Sequence, residues 1–470
     1  MINSAWQSLT LMDLTAREWG RSSFLWKIVG LFRNWRQHSV LIQWGQPIAV
    51  VLLTLLFALA PFVPNSLIGL IAAACGGFWL LLTLADDTPR ASKLTPIHLL
   101  ILLYWSIAFV ATALSPVKMA AAAGLAKLSL YLLVFVLVER VVRSPRWRSW
   151  LIAIYLHTAL LVSVNGWHQK FFGAEALATW VDPESPTANV TRVYSYLGNP
   201  NLLAAYLLPA IPLSLCAVFA WRHWGPKALA VVMVVVNVTC LYWTGSRGGW
   251  IGLVVAGLVM VVLLLYWLLP RFPQPWRVWV FPLVLGGLAA LVLVAIITVE
   301  PLRDRVLSIF AGREDSSNNF RINVWTSVLE MIRDRPWIGI GPGNTAFNQI
   351  YPLYQRPNFT ALSAYSIFLE LLVEMGVIGF GCFLWLLLVL VNQGCLQLQQ
   401  LRRQQSDQIF WLIAAIATLF GMLAHGSVDT VWYRPEVATL WWFAIAVMTS
   451  YCTKPVQGIN KKLVSDTSFG

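Results

Sequence analysis

The peptide PWIGIGPGN, residues 336–344, lies in the middle of the one long polar interval of this chain, residues 300–363. On both sides of that interval the sequence consists of one apolar run after another. Of its 470 residues, 58% are hydrophobic and 11% are charged, whereas a soluble domain carries about a quarter charged residues. The composition predicts an all-α polytopic membrane protein with a long loop between its transmembrane helices.

Apolar runs of roughly 20 residues are long enough to cross a bilayer as helices. We predict about twelve of them, near residues 47–63, 66–84, 97–115, 119–138, 149–167, 201–220, 226–244, 249–269, 278–299, 364–392, 409–426 and 437–453. The chain then divides into an N-terminal segment (1–45), spans one to nine (46–299), the polar loop (300–363), spans ten to twelve (364–453) and a tail (454–470).

Basic residues indicate the orientation of these spans, because Lys and Arg accumulate in cytoplasmic connections. If the N-terminus is cytoplasmic, the inner connections are the basic ones, at 90–93, 140–148, 222–227, 271–277, 402–403 and 454–462. We therefore predict that both termini are cytoplasmic, and that the loop 300–363 and a second polar segment, 168–200, face outward. Because the basic residues are spread among apolar runs, the net charge of +13 does not indicate a nucleic acid partner.

The N-terminal segment is polar and basic, but apolar residues recur in it at helical spacing between positions 24 and 35. This pattern is typical of an amphipathic helix that lies on a membrane surface. We predict such a helix at the inner surface of the bilayer, with an ordinary frayed tail as the alternative.

Neither a metal site nor a cofactor is predicted. The six cysteines lie in or beside apolar runs, and no two of them form a CxxC pair. The glycines of residues 339–343, GIGPG, are reminiscent of a nucleotide-binding loop, but no buried strand precedes them and no Lys-Ser or Lys-Thr follows. We interpret this peptide as a rigid loop that packs against membrane helices.

Two arginines are candidates for binding an anion. Arg247 lies in TGSRGGW, residues 244–250, where glycines permit close backbone approach and the following helix offers N–H groups. Arg321 opens an amphipathic segment of about 13 residues that ends before Pro336. The alternatives are a tight turn with a snorkelling Arg247 and an Arg321 that anchors its helix to lipid headgroups.

Charged residues inside or beside the predicted spans form a second group of candidates. Lys127, Glu370 and Glu374 lie within the bilayer, where ionisable side chains need partners. Glu370 and Glu374 share one helix face, so either can pair with Lys127, for a functional or a structural reason. His425 and Asp429 are also four residues apart, and we expect a satisfied pair at the membrane interface if the helix continues, with an oriented imidazole as the alternative.

Several of these motifs resemble one known group, the O-antigen ligase superfamily of bacterial inner-membrane proteins. The motifs are Ser-Arg-Gly-Gly-Trp (246–250), Arg-x3-Trp (321–325), Pro-Trp-x-Gly-x-Gly (336–341) and Gly-x2-Gly (376–379), and the resemblance lies mainly between positions 190 and 390. Within that superfamily, the chain is most similar to the cyanobacterial IctB family. The stretches that carry this closer similarity are residues 192–201, 312–321 and 431–436.

The superfamily resemblance implies an enzyme that transfers a glycan from a polyprenyl pyrophosphate to an acceptor at the outer membrane face. The family arginines that hold the pyrophosphate match Arg247 and Arg321, and Arg192 is a further candidate for anion binding. Tyr365 occupies the position of the histidine that acts as general base in the family, and Ser366 follows it. A phenol with a pKa near 10 is a poor base at neutral pH, so this mechanism requires His425 or a carboxylate as the base.

The IctB resemblance implies another role, in the accumulation of inorganic carbon with bicarbonate as the bound anion, in the plasma membrane of a cyanobacterium. An ATP-binding motif and an inverted repeat of broken spans are both absent from the sequence. We predict an IctB-type membrane protein with an outward anion-binding face. A glycan ligase or polymerase with a lipid-linked pyrophosphate donor is the alternative, and a regulatory subunit without turnover is a third; the sequence leaves open whether the protein is an enzyme.

Overall fold

The chain is mainly helical in the part described by its computed structural model, residues 2–11, 31–32, 39–86, 94–174, 192–310, 312–430 and 432–452, and none of these residues forms a strand. The helices are α1 (Ile2–Leu9), α2 (Val40–Gln43), α3 (Gly45–Leu59), α4 (Asn65–Leu84), α5 (Pro96–Ala113), α6 (Lys118–Val142), α7 (Pro145–Phe172), α8 (Pro200–Leu207), α9 (Ala210–Ala220), α10 (Trp224–Trp243), α11 (Arg247–Leu268), α12 (Arg277–Thr298), α13 (Glu300–Phe310), α14 (Ser316–Asp334), α15 (Asn344–Ile350), α16 (Ile367–Arg403), α17 (Ile409–Gly426) and α18 (Pro435–Tyr451). The predicted all-α class is confirmed.

Within the described residues, ten helical segments are long and apolar enough to cross a membrane. They are α4, α5, α6, α7, the α8–α9 pair, α10, α11, α12, α16 and α17. The two other predicted spans are also helical but shorter, with 15 residues in α3 and 17 in α18. The protein is therefore an integral membrane protein, and all twelve predicted spans correspond to helices.

Small residues bring α11 and α17 into close contact. A Cβ atom placed on Gly252 of α11 would lie 2.8 Å from the backbone oxygen of Gly421 in α17, and one placed on Gly421 would lie 2.8 Å from the Cβ of Ala256. Small residues at a spacing of four allow membrane helices to approach this closely. The contact fixes the last turn of α17, which carries His425, beside the first turn of α11.

The polar loop folds into helices of its own. Asp315 caps α14, because its Oδ1 accepts a hydrogen bond from the backbone N–H of Asn318 at 2.9 Å. One face of α14 then packs in a small core of its own with the rest of the loop and the start of α16. The buried members of this core are Val324, Val328, Met331, Ile340, Phe347, Tyr351, Ala361, Ala364 and Val373.

The peptide at 336–343 pairs with α16 where that helix is broken. Gly376 has φ 62° and ψ −168°, so the helix kinks there. On one side of the kink, Ile340 N–H and Gly341 N–H donate to the carbonyls of residues 373 and 374, both at 2.9 Å. On the other, Val377 N–H donates to the Pro336 carbonyl at 2.8 Å. The loop backbone thus replaces helix hydrogen bonds that the kink removes.

The same peptide is held by the start of the bundle's α6. Gly124 of α6 lies so close that a Cβ there would overlap the Pro342 backbone. The Ser115 hydroxyl, just before α6, donates to the Ile340 carbonyl at 2.5 Å. These contacts agree with the interpretation of 339–343 as a rigid loop packed on membrane helices. We call this side of the bundle, where α6, α11 and α16 begin and α17 ends, the loop end.

Three details differ from the sequence predictions. The span at 201–220 is two helices, α8 and α9, which meet around Pro209. The amphipathic helix at Arg321 begins at Ser316, because Asp315 supplies the cap, and α13 and α15 are additional helices of the loop. Span ten begins at Ile367 instead of residue 364 and runs to Arg403. The predicted surface helix at 24–36 falls mostly outside the described residues.

Candidate functional site

Arg247 occupies the first position of α11, directly after the cap residue Ser246. The Ser246 hydroxyl caps this helix by accepting the Gly249 N–H at 3.2 Å. The Arg247 guanidinium donates to Asp315 Oδ1 at 2.8 Å, and the Arg247 side chain is only 10% exposed. A half-buried ion pair of this kind holds the guanidinium in one position.

Arg321 lies one helical turn into α14. Its Nε donates to the Val428 carbonyl at 2.9 Å, and one terminal nitrogen donates to the Ser317 hydroxyl at 2.7 Å. Val428 belongs to the connection between α17 and α18, so this arginine ties the loop to the end of the bundle. The guanidinium has five N–H donors, so these two bonds leave some of them available to an anion.

The two arginines therefore converge on one place, the first turn of α14. Arg247 contacts Asp315 there and Arg321 contacts Ser317, two residues along. Three elements of the loop end supply this arrangement: the start of α11, the start of α14 and the end of α17. We call Arg247, Arg321 and the groups that they contact the arginine cluster. Two planar cationic groups at a helix start are suited to a phosphate-rich anion.

Tyr365 lies beside this cluster, before the first turn of α16. Its ring packs edge-on against Phe320, with centroids 5.4 Å apart. Its φ of 50° is a left-handed backbone conformation that non-glycine residues rarely adopt. Burial, with nearby Asp429 and Tyr433, raises the pKa of Tyr365 to about 12, while Arg321 opposes the shift. At neutral pH the phenol keeps its proton and can act as a hydrogen-bond donor.

The hydrogen-bonded pair predicted for His425 and Asp429, on the condition that the helix continues, is not formed. α17 ends at Gly426, so the helical spacing that would bring the two side chains together does not continue. Asp429 Oδ1 accepts the N–H of its neighbour Thr430 at 2.9 Å. His425 is 1% exposed, and neither ring nitrogen has a hydrogen-bond partner among the described residues. Its ring lies against Gly248, where a Cβ would be 2.6 Å from the imidazole.

The intramembrane charges lie together, but not as an ion pair. Lys127, Glu370 and Glu374 line one cavity between α5, α6, α16 and α18. Lys127 Nζ donates to Asn344 Oδ1 at 3.5 Å, and no ion pair with either glutamate is formed in the described part of the chain. Each glutamate instead accepts a backbone N–H, Glu370 from Ala364 and Glu374 from Gly343, both at 2.7 Å.

Two other candidates have structural contacts. Arg192 donates to the Thr244 carbonyl at 2.8 Å and to Asn201 Oδ1 at 3.1 Å, so it ties α8 to the turn that precedes Arg247. Ser366 is buried at the start of α16, where its carbonyl accepts the Glu370 N–H at 2.8 Å. Both residues support the backbone next to the arginine cluster.

Sequence reasoning did not identify Asp315, Thr430 or Trp432 as residues of the site. The sequence does indicate the capping role of Asp315, since Asp is a preferred N-cap residue directly before a helical pattern. Its ion pair with Arg247, by contrast, joins residues 68 positions apart, and helical periodicity cannot indicate such a contact. Thr430 and Trp432 line the cavity with the glutamates, again through a contact distant in sequence.

Ten long apolar helices and a cluster of arginines at one end define an integral membrane protein with a polar site at that end. Residues 228–384 match the family model described as O-antigen ligase. The matched region includes Arg247, Arg321 and Tyr365, and it supports a place for the chain in the O-antigen ligase-related superfamily. No curated protein matches the chain in sequence. The closer resemblance to the IctB family stays a prediction.

Proposed function

We propose that the protein is a glycan ligase or polymerase that uses a polyprenyl-pyrophosphate-linked donor at the outer membrane face. The observation that carries this proposal is the convergence of Arg247 and Arg321 on the first turn of α14. The match of residues 228–384 to the O-antigen ligase model supports it. A donor with a polyprenyl chain reaches such a site from the bilayer, and its pyrophosphate then lies at the loop end.

In this reaction a hydroxyl oxygen of the acceptor attacks the anomeric carbon of the donor. The bond between that carbon and the pyrophosphate oxygen breaks, and the pyrophosphate leaves with the electron pair. Arg247 and Arg321 stabilise the charge that develops on the leaving group, which is commonly the largest contribution to such catalysis. We infer that a phosphate oxygen takes the place that Asp315 holds beside Arg247 in this structure.

The acceptor hydroxyl must also lose a proton. Tyr365 is unsuited to this role, because burial raises the pKa of its phenol to about 12 and the group keeps its own proton. We assign it instead as a hydrogen-bond donor to the leaving pyrophosphate. Asp429 lies within electrostatic range of both Tyr365 and His425, and it is the carboxylate that we assign as the base.

Bicarbonate accumulation, the role implied by the IctB resemblance, receives no support from the family match. The arginine cluster holds its guanidiniums against a carboxylate, a hydroxyl and a carbonyl of the protein. Two converging arginines suit the several negative charges of a pyrophosphate better than the single charge of bicarbonate. The glycan-transfer proposal therefore replaces the transport prediction as the first hypothesis to test.

The test is the fate of lipid-linked glycan in cells that carry Arg247→Ala or Arg321→Ala. Each variant should accumulate the polyprenyl-linked donor and lower transfer in proteoliposomes by about 10²- to 10³-fold, the range for loss of one charge-stabilising donor. Arg356→Ala is the matched control, because Arg356 lies in the same loop and its side chain forms an exposed pair with Glu330. Normal donor turnover in a folded Arg247→Ala, Arg321→Ala double variant would contradict the proposal. Labelled bicarbonate uptake by the same proteoliposomes would restore the transport hypothesis.

A further inference from the structure

A cavity beside the arginine cluster is not used by the chemistry described so far. It lies between α5, α6, α16 and α18, and Lys127, which is exposed, marks the side on which it opens. Its volume is about 150 Å³. An apolar cavity of about this size in another protein holds one benzene molecule, so the space is sufficient for one six-membered ring and too small for a long lipid chain.

Aromatic side chains form much of its wall. Trp432, Trp441 and Trp442 line the cavity, and the centroids of the Trp432 and Trp441 rings are 4.0 Å apart. The face of an aromatic ring carries partial negative charge, whereas the C–H groups on the face of a sugar ring carry partial positive charge. The wall is therefore suited to the flat, C–H-rich face of a pyranose.

Two carboxyl groups of the wall offer hydrogen bonds without adding charge. Glu370 and Glu374 lie one turn apart on α16, where they accept the N–H groups of Ala364 and Gly343, and neither forms an ion pair in the described part of the chain. An enclosed carboxyl without a cation beside it favours its neutral form, because a charge in apolar surroundings is costly. A neutral carboxyl donates and accepts hydrogen bonds, so this wall suits sugar hydroxyls and does not repel an anion.

Lys127 places a positive charge at the opening of the cavity. Its ammonium donates to Asn344 Oδ1 at 3.5 Å, and it has no carboxylate partner among the described residues. Lys127 belongs to α6, one of the segments that can cross a membrane, where an ionisable group needs a partner. A carboxylate on the ligand would supply that partner. Because hydrogen bonds between charged groups are about twice as strong as neutral ones, this contact would favour an acidic sugar over a neutral one.

We propose that this cavity is a subsite for one sugar ring that carries a carboxylate, and that Lys127 selects this acidic sugar over a neutral one. The subsite rests on the proposed glycan transfer and adds its sugar specificity. The connection from α17 to α18 joins it to the arginine cluster: the Val428 carbonyl accepts from Arg321, while Thr430 and Trp432 line the cavity. A sugar in the cavity therefore lies next to the place assigned to the pyrophosphate.

The test measures binding at neutral pH, with the full chain in nanodiscs of phosphatidylcholine, which has no net charge. A radiolabelled alkyl β-glucuronide, below its micellar concentration, is displaced by the unlabelled glucuronide, by the alkyl β-glucoside, which lacks the charge, or by a fatty acid of the same chain length, which lacks the ring. Empty nanodiscs correct for partition into lipid. We expect displacement by the glucoside or the fatty acid to need a concentration about tenfold higher or more, a difference of about 1.4 kcal/mol.

Lys127→Gln should reduce the preference for the glucuronide over the glucoside to about threefold or less, because the charge is lost, whereas Lys127→Arg should keep it. Lys118→Gln is the matched control, since Lys118 is another exposed lysine of α6 and does not line the cavity. A preference that survives Lys127→Gln would overturn the proposal, as would equal competition by the glucoside or the absence of saturable glucuronide binding. Equal competition by the fatty acid would show a site for an anionic chain and overturn it too.

The same assay tests the neutral state of the carboxyl groups. Glu374→Gln keeps the shape of the side chain and removes no charge if the carboxyl is protonated, so the preference should stay within about twofold of the wild-type value. A preference for the glucuronide that rises about tenfold in this variant would show an ionised carboxyl that repels acidic sugars, and would contradict the proposal.

The two proposals fail in different ways. A preference for the glucuronide that depends on Lys127, without any donor turnover, would uphold the subsite and reject the proposed transfer. Turnover that depends on Arg247 and Arg321, but without this preference in binding, would uphold the transfer and reject the subsite.

Discussion

Tyr365 occupies the position at which a histidine acts in the superfamily that this chain resembles. The phenol ring packs against Phe320, with Asp429 and Arg321 within electrostatic range, and burial raises its pKa to about 12. With a pKa of about 12, the phenol keeps its proton throughout the neutral range and loses it only in strongly alkaline solution. In the proposed reaction the phenol therefore donates a hydrogen bond, and we assign the role of base to another residue.

The first prediction concerns this residue. Tyr365→Phe should lower kcat/KM for transfer by about tenfold, the cost of one hydrogen bond to a charged group, and should leave the shape of the pH profile unchanged between pH 6 and 10. Tyr365→His should add a titration near pH 6.5, the ordinary imidazole pKa. The measurement is the pH dependence of transfer in proteoliposomes. A rising alkaline limb in the wild type that vanishes in Tyr365→Phe would identify Tyr365 as the base and contradict our assignment.

At the scale of elements, the break in α16 explains why both the Pro-Trp-x-Gly-x-Gly motif (336–341) and the Gly-x2-Gly motif (376–379) contain glycines. Gly376 adopts a backbone conformation that is nearly exclusive to glycine. A Cβ there would lie 2.3 Å from the Trp337 carbonyl group, and one on Gly339 would lie 2.5 Å from the backbone of Glu374. Each motif is therefore needed for the other's position, and together they place Glu370 and Glu374 at the cavity.

The second prediction follows from that fit. Gly376→Ala should destabilise the protein by about 1–3 kcal/mol, the usual cost of a strained backbone. Gly381→Ala is the matched control in the same helix, because a Cβ there meets nothing within 4 Å. Denaturant titration in detergent gives the free energy of unfolding of both variants. An equal, small effect of the two substitutions would mean that the kink is not held by the loop.

The sequence was informative about helices and much less so about this junction. Apolar length predicted every span, and the amphipathic pattern predicted α14, because both depend on neighbours along the chain. The kink depends on the pairing of Val377 with Pro336, some forty residues apart, and no local pattern reports it. For the same reason, the sequence did not indicate the ion pair of Arg247 with Asp315. The spacing of His425 and Asp429 suggested a contact that depends on a continuous helix, but α17 ends at Gly426.

At the scale of the whole molecule, Arg148 and Arg271, from two of the basic connections, lie at the end opposite the loop end. Arg148 donates to Gln408 at 2.9 Å and stacks on the Tyr451 ring, with its charged carbon 3.9 Å from the ring centroid. Arg271 lies at the same end, where it donates to Gln405 at 3.4 Å. These contacts join connections that the sequence assigned to one side of the membrane on charge alone.

The last prediction is the orientation that this separation implies. Leu353→Cys, a residue 78% exposed at the loop end, should react with an impermeant maleimide in intact cells. Trp276→Cys, which is 57% exposed at the basic end, should react only after the cells are permeabilised. Both substitutions are made in a chain that carries Cys395→Ser and Cys452→Ser, since the other four cysteines are buried.

The result bears directly on the proposed reaction. Polyprenyl-linked donors that reach the outer leaflet are available to the arginine cluster only if the loop end faces outward. Labelling of Trp276→Cys but not Leu353→Cys in intact cells would place the arginines on the cytoplasmic side, against the excess of basic residues at the opposite end. The glycan-transfer proposal at the outer face would then fail on geometry alone.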